Sequence, residues 1–222
     1  EYMMGATTVA VAWSGYFTKL LHLFHINLPE YLINDPVTYG GMAFNVPAFL
    51  ITWVITAILV KGIKEAASTN NIIVILKVAV VLFVIIAGSF YVDTANWDPF
   101  IPAEKMGEDG HLHFGVGGVL TAATIVFFAY IGFDAVSTQA GEAINPKKDV
   151  PFAIIASLII CTLLYIAVSL VLTGMVPYGQ LDLKAPVASA FAVAGIDWAV
   201  YLITIAATAG LMSVMLVMML GQ

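Results

Sequence analysis

Six long apolar stretches make up most of the sequence and leave it few ways to fold. A membrane-spanning helix needs about 20 mostly apolar residues. Stretches that meet or approach this length occur at 2–22, 44–60, 71–91, 117–138, 152–176 and 198–220. Because lipid offers no partner for exposed backbone N–H and C=O groups, such stretches pair their backbone internally as helices. The sequence therefore predicts an all-α membrane protein, with six transmembrane helices in one transmembrane domain over residues 1–222.

The composition excludes several classes of protein. Of the 222 residues, 61% are hydrophobic and 10% are charged, whereas a typical globular chain is about 25% charged. The net charge is −6 and the sequence contains no arginine, so it has no basic surface for a nucleic acid. Cys161 is the single cysteine, and neither metal-ligand spacing nor a nucleotide-binding, metalloprotease or serine-hydrolase motif occurs. We therefore expect neither an enzyme nor a metal or cofactor site.

The lysines orient the predicted helices in the membrane. Half of the eight lie in the connections after the second and fourth spans: Lys61, Lys64, Lys147 and Lys148. The connection between the third and fourth spans is acid-rich instead. The positive-inside rule therefore predicts that 61–70 and 139–151 are cytoplasmic and that 92–116 and 177–197 are extracellular.

The connection at 177–197 also carries a helix signal. Pro186 suits the first position of a helix, and Gly195 suits the residue after its end. We expect a short helix at Val187–Ala194, which serves either as a lid on the outer face or as a simple cap.

Lys77 is the most informative polar residue inside a predicted span. It lies about six residues from the cytoplasmic end of the third span, hence about 9 Å deep. A lysine there costs about 2.5–3.5 kcal/mol on insertion scales, so it should face protein or a water-filled cavity. The alternative is a lysine whose long side chain reaches the headgroups. Ser213 lies at the same depth in the sixth span, which predicts a contact between the two side chains.

Gly132 and Asp134 interrupt the fourth span. A glycine inside a helix is about 1 kcal/mol less favourable than alanine. Transporters use discontinuous helices to bring bare backbone groups to a substrate at the bilayer midplane. The pair therefore predicts a helix broken near 131–133, and with it a transporter. The alternative is a packing glycine followed by an acid near a helix end.

Several sequence segments closely resemble the cationic amino acid transporter family of the amino acid–polyamine–organocation superfamily. The most specific is FFAYIGFDAVSTQAGEAINPKKDVP at 127–151, and the others are EYMMGATTVAVAWS at 1–14, KGIKEAASTNNI at 61–72 and LTGMVPYGQLD at 172–182. The resemblance implies a core of ten helices in two inverted five-helix repeats. The six predicted spans match the family's third to eighth helices, so we expect a fragment that lacks the first helix and its glycine-rich break.

The resemblance also implies a substrate site at the broken helix. The backbone carbonyls of Phe128, Ala129 and Ile131 would accept hydrogen bonds from the substrate's α-ammonium group, with Gly132 at the break. The Phe128 ring would act as a gate. Glu142 belongs to the family's cytoplasmic gate, although this sequence has Gly141 where a second acid is usual.

Two further residues match family positions involved in ion coupling, and two more are candidates from their place in the sequence. Lys77 matches the lysine that takes the place of a sodium ion in proton-coupled relatives. Ser213 matches a hydroxyl position beside that site, while Met212 stands where a threonine is common. Glu1 is a further candidate for proton coupling, and Met218 is expected to shorten the substrate pocket.

The sequence thus predicts a secondary transporter of a cell (plasma) membrane that imports small neutral L-amino acids together with protons. Its partners are the amino acid substrate and the lipid bilayer. One alternative is a cationic amino acid transporter, a sodium-coupled transporter or an exchanger of the same fold. Another is a channel or a membrane subunit that transports nothing.

Overall fold

The computed structural model of the protein describes residues 2–36, 41, 43–61, 66–107, 112–130, 132, 137, 141 and 143–221. Within them lie seven α-helices: α1 (Tyr2–Leu23), α2 (Val46–Lys61), α3 (Ala66–Ser89), α4 (Gly115–Val126), α5 (Pro146–Met175), α6 (Pro186–Val193) and α7 (Asp197–Gly221). Two short strands, β1 (Lys105–Met106) and β2 (Leu112–His113), pair antiparallel. The fold is therefore predominantly helical, as the sequence predicts.

Each of the six predicted spans contains an α-helix among the residues that the structure describes, but these helices differ in length. Among the described residues, α5 and α7 are long and apolar enough to cross a membrane. The apolar parts of α2, α3 and α4 are shorter, at Val46–Val60, Ile73–Ser89 and Gly115–Val126. The count of six transmembrane helices stays a prediction.

Helix α5 begins at Pro146, six residues before the predicted start of the fifth span. Proline suits this position because the first residues of a helix have no intrahelical partner for an N–H group. The Asp149 carboxylate accepts a hydrogen bond from the Asn145 N–H at 3.2 Å, and its negative charge is favourable near a helix N-terminus. The first turn of α5 is thus formed by polar residues, which a count of apolar residues overlooks.

The chain divides into two compact units, and unit 1 comprises residues 1–91 and 178–222. Helix α7 packs along α1 and also contacts α2, α3 and α6. Small buried residues lie along the paired helices, including Ala6 and Ala10 of α1 and Ala199 and Ala206 of α7. Small side chains let helix backbones approach closely, which is the main source of packing energy between helices in lipid.

The short helix predicted in the connection at 177–197 is present as α6. It begins at Pro186, and Gly195 after its end has φ +74°. The Phe191 side chain is fully buried. Its ring centroid lies 6.1 Å from that of Phe83 on α3. This helix is therefore part of the packed core of unit 1.

Unit 2 comprises residues 92–177, and its first residues are anchored to the end of α5. The Gly174 carbonyl accepts hydrogen bonds from the Asp93 N–H at 2.9 Å and the Asn96 Nδ2 at 2.6 Å. Gly174 has no room for a side chain, since a Cβ would lie 2.7 Å from Val92 Cγ1. The loop thus satisfies a carbonyl that the end of the helix leaves without a partner.

Asn45 ties three parts of unit 1 together. Its Oδ1 accepts hydrogen bonds from the Ser14 hydroxyl at 2.7 Å and from the Ala48 N–H at 3.1 Å. Its Nδ2 donates to the Ile33 carbonyl at 3.3 Å. The Ser14 side chain is 1% exposed, so its hydroxyl depends on this bond.

Replacing Asn45 by alanine should destabilise the protein. The Asn45→Ala change removes a helix cap and leaves the buried Ser14 hydroxyl without its acceptor, which we expect to cost about 1–2 kcal/mol of unfolding free energy. Thermal unfolding in detergent, followed by tryptophan fluorescence, measures the effect. Asn145→Ala is the matched control, because the Asn145 side chain makes no capping hydrogen bond. Equal melting temperatures for the two variants would contradict this account.

Candidate functional site

The regular part of the fourth span is shorter than predicted. Helix α4 ends at Val126, and residues Phe127–Tyr130 continue as a 3-10 turn. Gly132 has φ +109°, a backbone conformation that side chains with a Cβ rarely adopt. The α-helical hydrogen-bond pattern therefore stops before the predicted break at 131–133, where Gly132 alone is described.

Two hydroxyl contacts hold this turn against α5. The Tyr165 hydroxyl donates to the Ala129 carbonyl at 3.0 Å. The Tyr130 hydroxyl lies 3.0 Å from the Thr162 Oγ1. The rings of Tyr130 and Tyr165 meet edge to face, with centroids 5.4 Å apart. Helix α5 thus supplies a partner to one of the carbonyls that the change of helix type leaves open.

The sequence analysis missed Thr162, Tyr165 and Tyr130 as parts of this site. A signal was available, because Thr162 and Tyr165 are three residues apart in a largely apolar helix. That spacing places both side chains on one face of α5. Polar groups on one face of a membrane helix need a partner, but the sequence does not say which segment provides it.

The predicted substrate-binding residues are described only in part. Ala129 is exposed, and its carbonyl is a member of the 3-10 turn. The backbone of Phe128 belongs to the same turn, whereas its ring, which is the predicted gate, lies outside the described residues. Ile131 and Glu142 also lie outside them. Their assignments, and that of the Phe128 ring, stay predictions.

The predicted coupling residues Lys77 and Ser213 lie on helices that pack together in unit 1. Lys77 of α3 is half-buried, and its side chain lies against Gly210 of α7. Ser213, one turn further along α7, is buried. The structure therefore brings Lys77 to the part of α7 that carries Ser213, while a direct contact between their side chains stays a prediction. Glu1 lies outside the described residues.

Met218 is a buried residue of α7, with 8% of its surface exposed. It belongs to unit 1, whereas the 3-10 turn belongs to unit 2. Its predicted effect on the substrate pocket stays a prediction. In the part of the chain that the structure describes, no group of three His, Cys, Asp or Glu side chains is placed to hold a metal ion.

Comparison with known proteins identifies the family. Residues 1–222 match the family model described as amino acid permease. The chain belongs to the amino acid permease family. Proteins of this family are membrane transporters rather than enzymes, so the permease is a membrane protein.

Three relatives illustrate the similarity. The chain is 44% identical over 222 residues to the methylthioribose transporter of Bacillus subtilis and 45% identical over 225 residues to the branched-chain amino acid permease BcaP of the same organism. It is 39% identical over 221 residues to the chloroplastic cationic amino acid transporter 9 of Arabidopsis thaliana. These alignments cover 100%, 100% and 98% of this chain but 46%, 46% and 37% of the relatives. The chain thus spans less than half of their length, and the resemblance to cationic amino acid transporters is confirmed.

Removing the Tyr165 hydroxyl should loosen the 3-10 turn of the permease. The Tyr165→Phe change deletes one hydrogen bond to the Ala129 carbonyl, which is worth about 0.5–1.5 kcal/mol. We expect amide hydrogen exchange across 127–132 to become faster by about 2- to 10-fold, because local opening becomes easier by that energy. Mass spectrometry of the protein in nanodiscs measures these exchange rates. Tyr201→Phe on α7 is the control, and equal exchange in both variants would show that the contact does not hold the turn.

Proposed function

We propose that this chain forms part of a secondary transporter that imports amino acids across the cell membrane together with protons. The observation that carries the proposal is the end of the regular α4 helix at Val126, followed by a 3-10 turn that includes Ala129. Lysine-rich connections at 61–70 and 139–151 favour a cytoplasmic position for both segments. Acid-rich connections at 92–116 and 177–197 then face the outside.

The 3-10 turn suits the ammonium group of an amino acid. A carbonyl oxygen has two lone pairs, and the Tyr165 hydroxyl occupies one of them on Ala129. We propose that the second receives a substrate N–H group. We propose that the carbonyls of Phe128, Ala129 and Ile131 together receive the α-ammonium, with the Phe128 ring closing over it and Glu142 in the cytoplasmic gate. These carbonyls would bind the α-ammonium group that amino acid substrates share, and other residues would contact the substrate's side chain.

The substrate side chain is proposed to be uncharged. Two bacterial relatives at 44% and 45% identity are named for methylthioribose, which is an uncharged sugar, and for branched-chain amino acids, whose side chains are uncharged. The relatives named for cationic amino acids are 34–39% identical. Asp134 is the only acidic residue within the predicted fourth span, and it lies beyond the predicted break at 131–133. We propose that it serves the helix rather than the substrate and that Met218 shortens the pocket. A cationic side chain would then be buried without a counter-charge.

Lys77 is proposed to carry the coupling proton. Lys77 is half-buried on α3, and the hydrocarbon part of its side chain lies against Gly210 of α7. When protonated, the ammonium donates hydrogen bonds to acceptors such as the Ser213 hydroxyl and braces one state of the transporter. When it releases its proton to the cytoplasm, that brace is lost and the helices can move. Glu1 is proposed as the acid that exchanges protons with it.

Loss of the Lys77 amine should uncouple transport from the proton gradient. In proteoliposomes with an acidic outside, we expect Lys77→Ala to abolish accumulation of labelled alanine above its equilibrium concentration, because no group remains to carry the proton. Lys148→Ala, which removes an exposed lysine, is the control and should accumulate alanine normally. If Lys77→Ala still concentrates alanine on a pH gradient, Lys77 only reaches the headgroups. Uptake driven by sodium alone would favour the sodium-coupled alternative, and passive ion currents would favour a channel.

Competition between substrates tests the proposed specificity. Burying an uncompensated charge costs about 3–5 kcal/mol, which corresponds to a factor of at least about 100 in affinity. Unlabelled alanine should therefore inhibit uptake of labelled alanine at concentrations at least about 100-fold lower than arginine does. Inhibition constants measured in the same proteoliposomes decide the question. Comparable inhibition by arginine would favour the cationic amino acid alternative.

A further inference from the structure

Gly210 of α7 leaves a space that the Lys77 side chain fills. A methyl group at Gly210 would lie 3.2 Å from Lys77 Cε, 3.4 Å from Cγ and 3.7 Å from Cδ. The aliphatic part of Lys77 thus runs over the bare backbone of α7. Because Nζ is one bond beyond Cε, this contact sets the height of the ammonium along α7.

The backbone conformation at position 210 does not require a glycine. Gly210 lies inside an α-helix and is buried, and it lacks the positive φ seen at Gly132 and Gly195. Alanine is the better residue in such a helix interior. The remaining physical reason for a glycine is the close approach of a neighbour, and that neighbour is Lys77.

Gly221 of the same helix shows the contrast. A methyl group there would lie 3.7 Å from Tyr2 Cδ1 and Cε1, which is ordinary van der Waals contact. Gly221 could therefore become alanine without displacing a neighbour, whereas Gly210 could not.

The two helices that meet at this contact, α3 and α7, carry no other titratable side chain near it. The titratable side chains of α7 are Asp197 and Tyr201 at its start, and Tyr201 is nine residues, or about 13 Å along the helix, before Gly210. Helix α6, which meets α3 through Phe83 and Phe191, contains no titratable side chain. Helix α3 itself contains none besides Lys77.

We propose that Gly210 is a positioning residue for proton coupling, because its missing side chain holds the Lys77 ammonium at one height along α7. This inference rests on the proposed role of Lys77 as the proton carrier. A methyl group at Gly210 forces the Lys77 stem to shift by a few tenths of an ångström. Misplacing a reacting group by about 1 Å can cost about 100-fold in rate, so this smaller shift should cost less.

The test compares Gly210→Ala with Gly221→Ala in proteoliposomes. We expect Gly210→Ala to lower the rate of alanine uptake driven by an acidic outside by about 3- to 10-fold. The external pH of half-maximal uptake should move, while the KM for alanine stays within about twofold of wild type, because the displaced group carries the proton rather than the substrate. Gly221→Ala should match the wild type in all three measurements.

A double-mutant cycle with Lys77→Ala separates positioning from packing. Where Lys77 has been shortened to alanine, the methyl group of Gly210→Ala enters vacated space, and the better helix former should raise the melting temperature. With Lys77 present, Gly210→Ala should not raise it. A melting-temperature effect that is the same in both backgrounds would overturn the proposed contact.

The outcomes distinguish this inference from the proposed function. If Lys77→Ala abolishes accumulation but Gly210→Ala behaves like Gly221→Ala, only the positioning role of Gly210 is overturned. If Gly210→Ala changes the KM for alanine but leaves the pH profile unmoved, the residue acts on the substrate and the inference is also overturned. If Lys77→Ala retains accumulation, the proposed function fails and this inference fails with it.

Discussion

The bilayer cannot form hydrogen bonds with the protein backbone, and the rest of this structure depends on that constraint. Long helices such as α5 and α7 meet it internally, since every backbone group inside a helix has its own partner. After Val126 the chain changes from an α-helix to a 3-10 turn, which has a different hydrogen-bond pattern. The Ala129 carbonyl in this turn accepts a hydrogen bond from the Tyr165 hydroxyl of α5. At the proposed substrate site, the neighbouring helix α5 therefore provides a hydrogen-bond donor to the backbone of the 3-10 turn.

The same constraint explains how polar side chains are buried. Thr204 and Thr208 of α7 are buried and donate to the carbonyls of Val200 and Thr204, four residues earlier in each case. Ser14 donates to Asn45 on the next helix. Each hydroxyl thus has an acceptor within the helix or across one helix contact. Lys77 differs from these residues, because it is the hydrocarbon part of its side chain that packs against Gly210.

Local cues predicted several elements correctly because their causes are local. Pro186 and Gly195 predicted the short helix α6, since a fixed φ at the start and a left-handed residue at the end act within a few residues. The apolar stretches predicted the positions of the helices, because hydrophobicity is also a property of neighbouring residues. Helix ends were predicted less well, because polar residues such as Asp149 extend α5 beyond its apolar part.

The sequence by itself determined that the chain is a helical membrane protein of the amino acid permease family, and that Lys77 and Gly132 are unusual in their spans. The length of an apolar stretch, the charge of a connection and the order of the family's characteristic segments are all properties of the sequence itself. They can therefore be recognised without a structure. Only the tertiary structure decided that Tyr165 serves the Ala129 carbonyl and that Gly210 receives Lys77. The first pair is 36 residues apart, and the second joins two different helices. Helical periodicity gives the face on which a side chain lies, but the packing of helices gives the group that it meets.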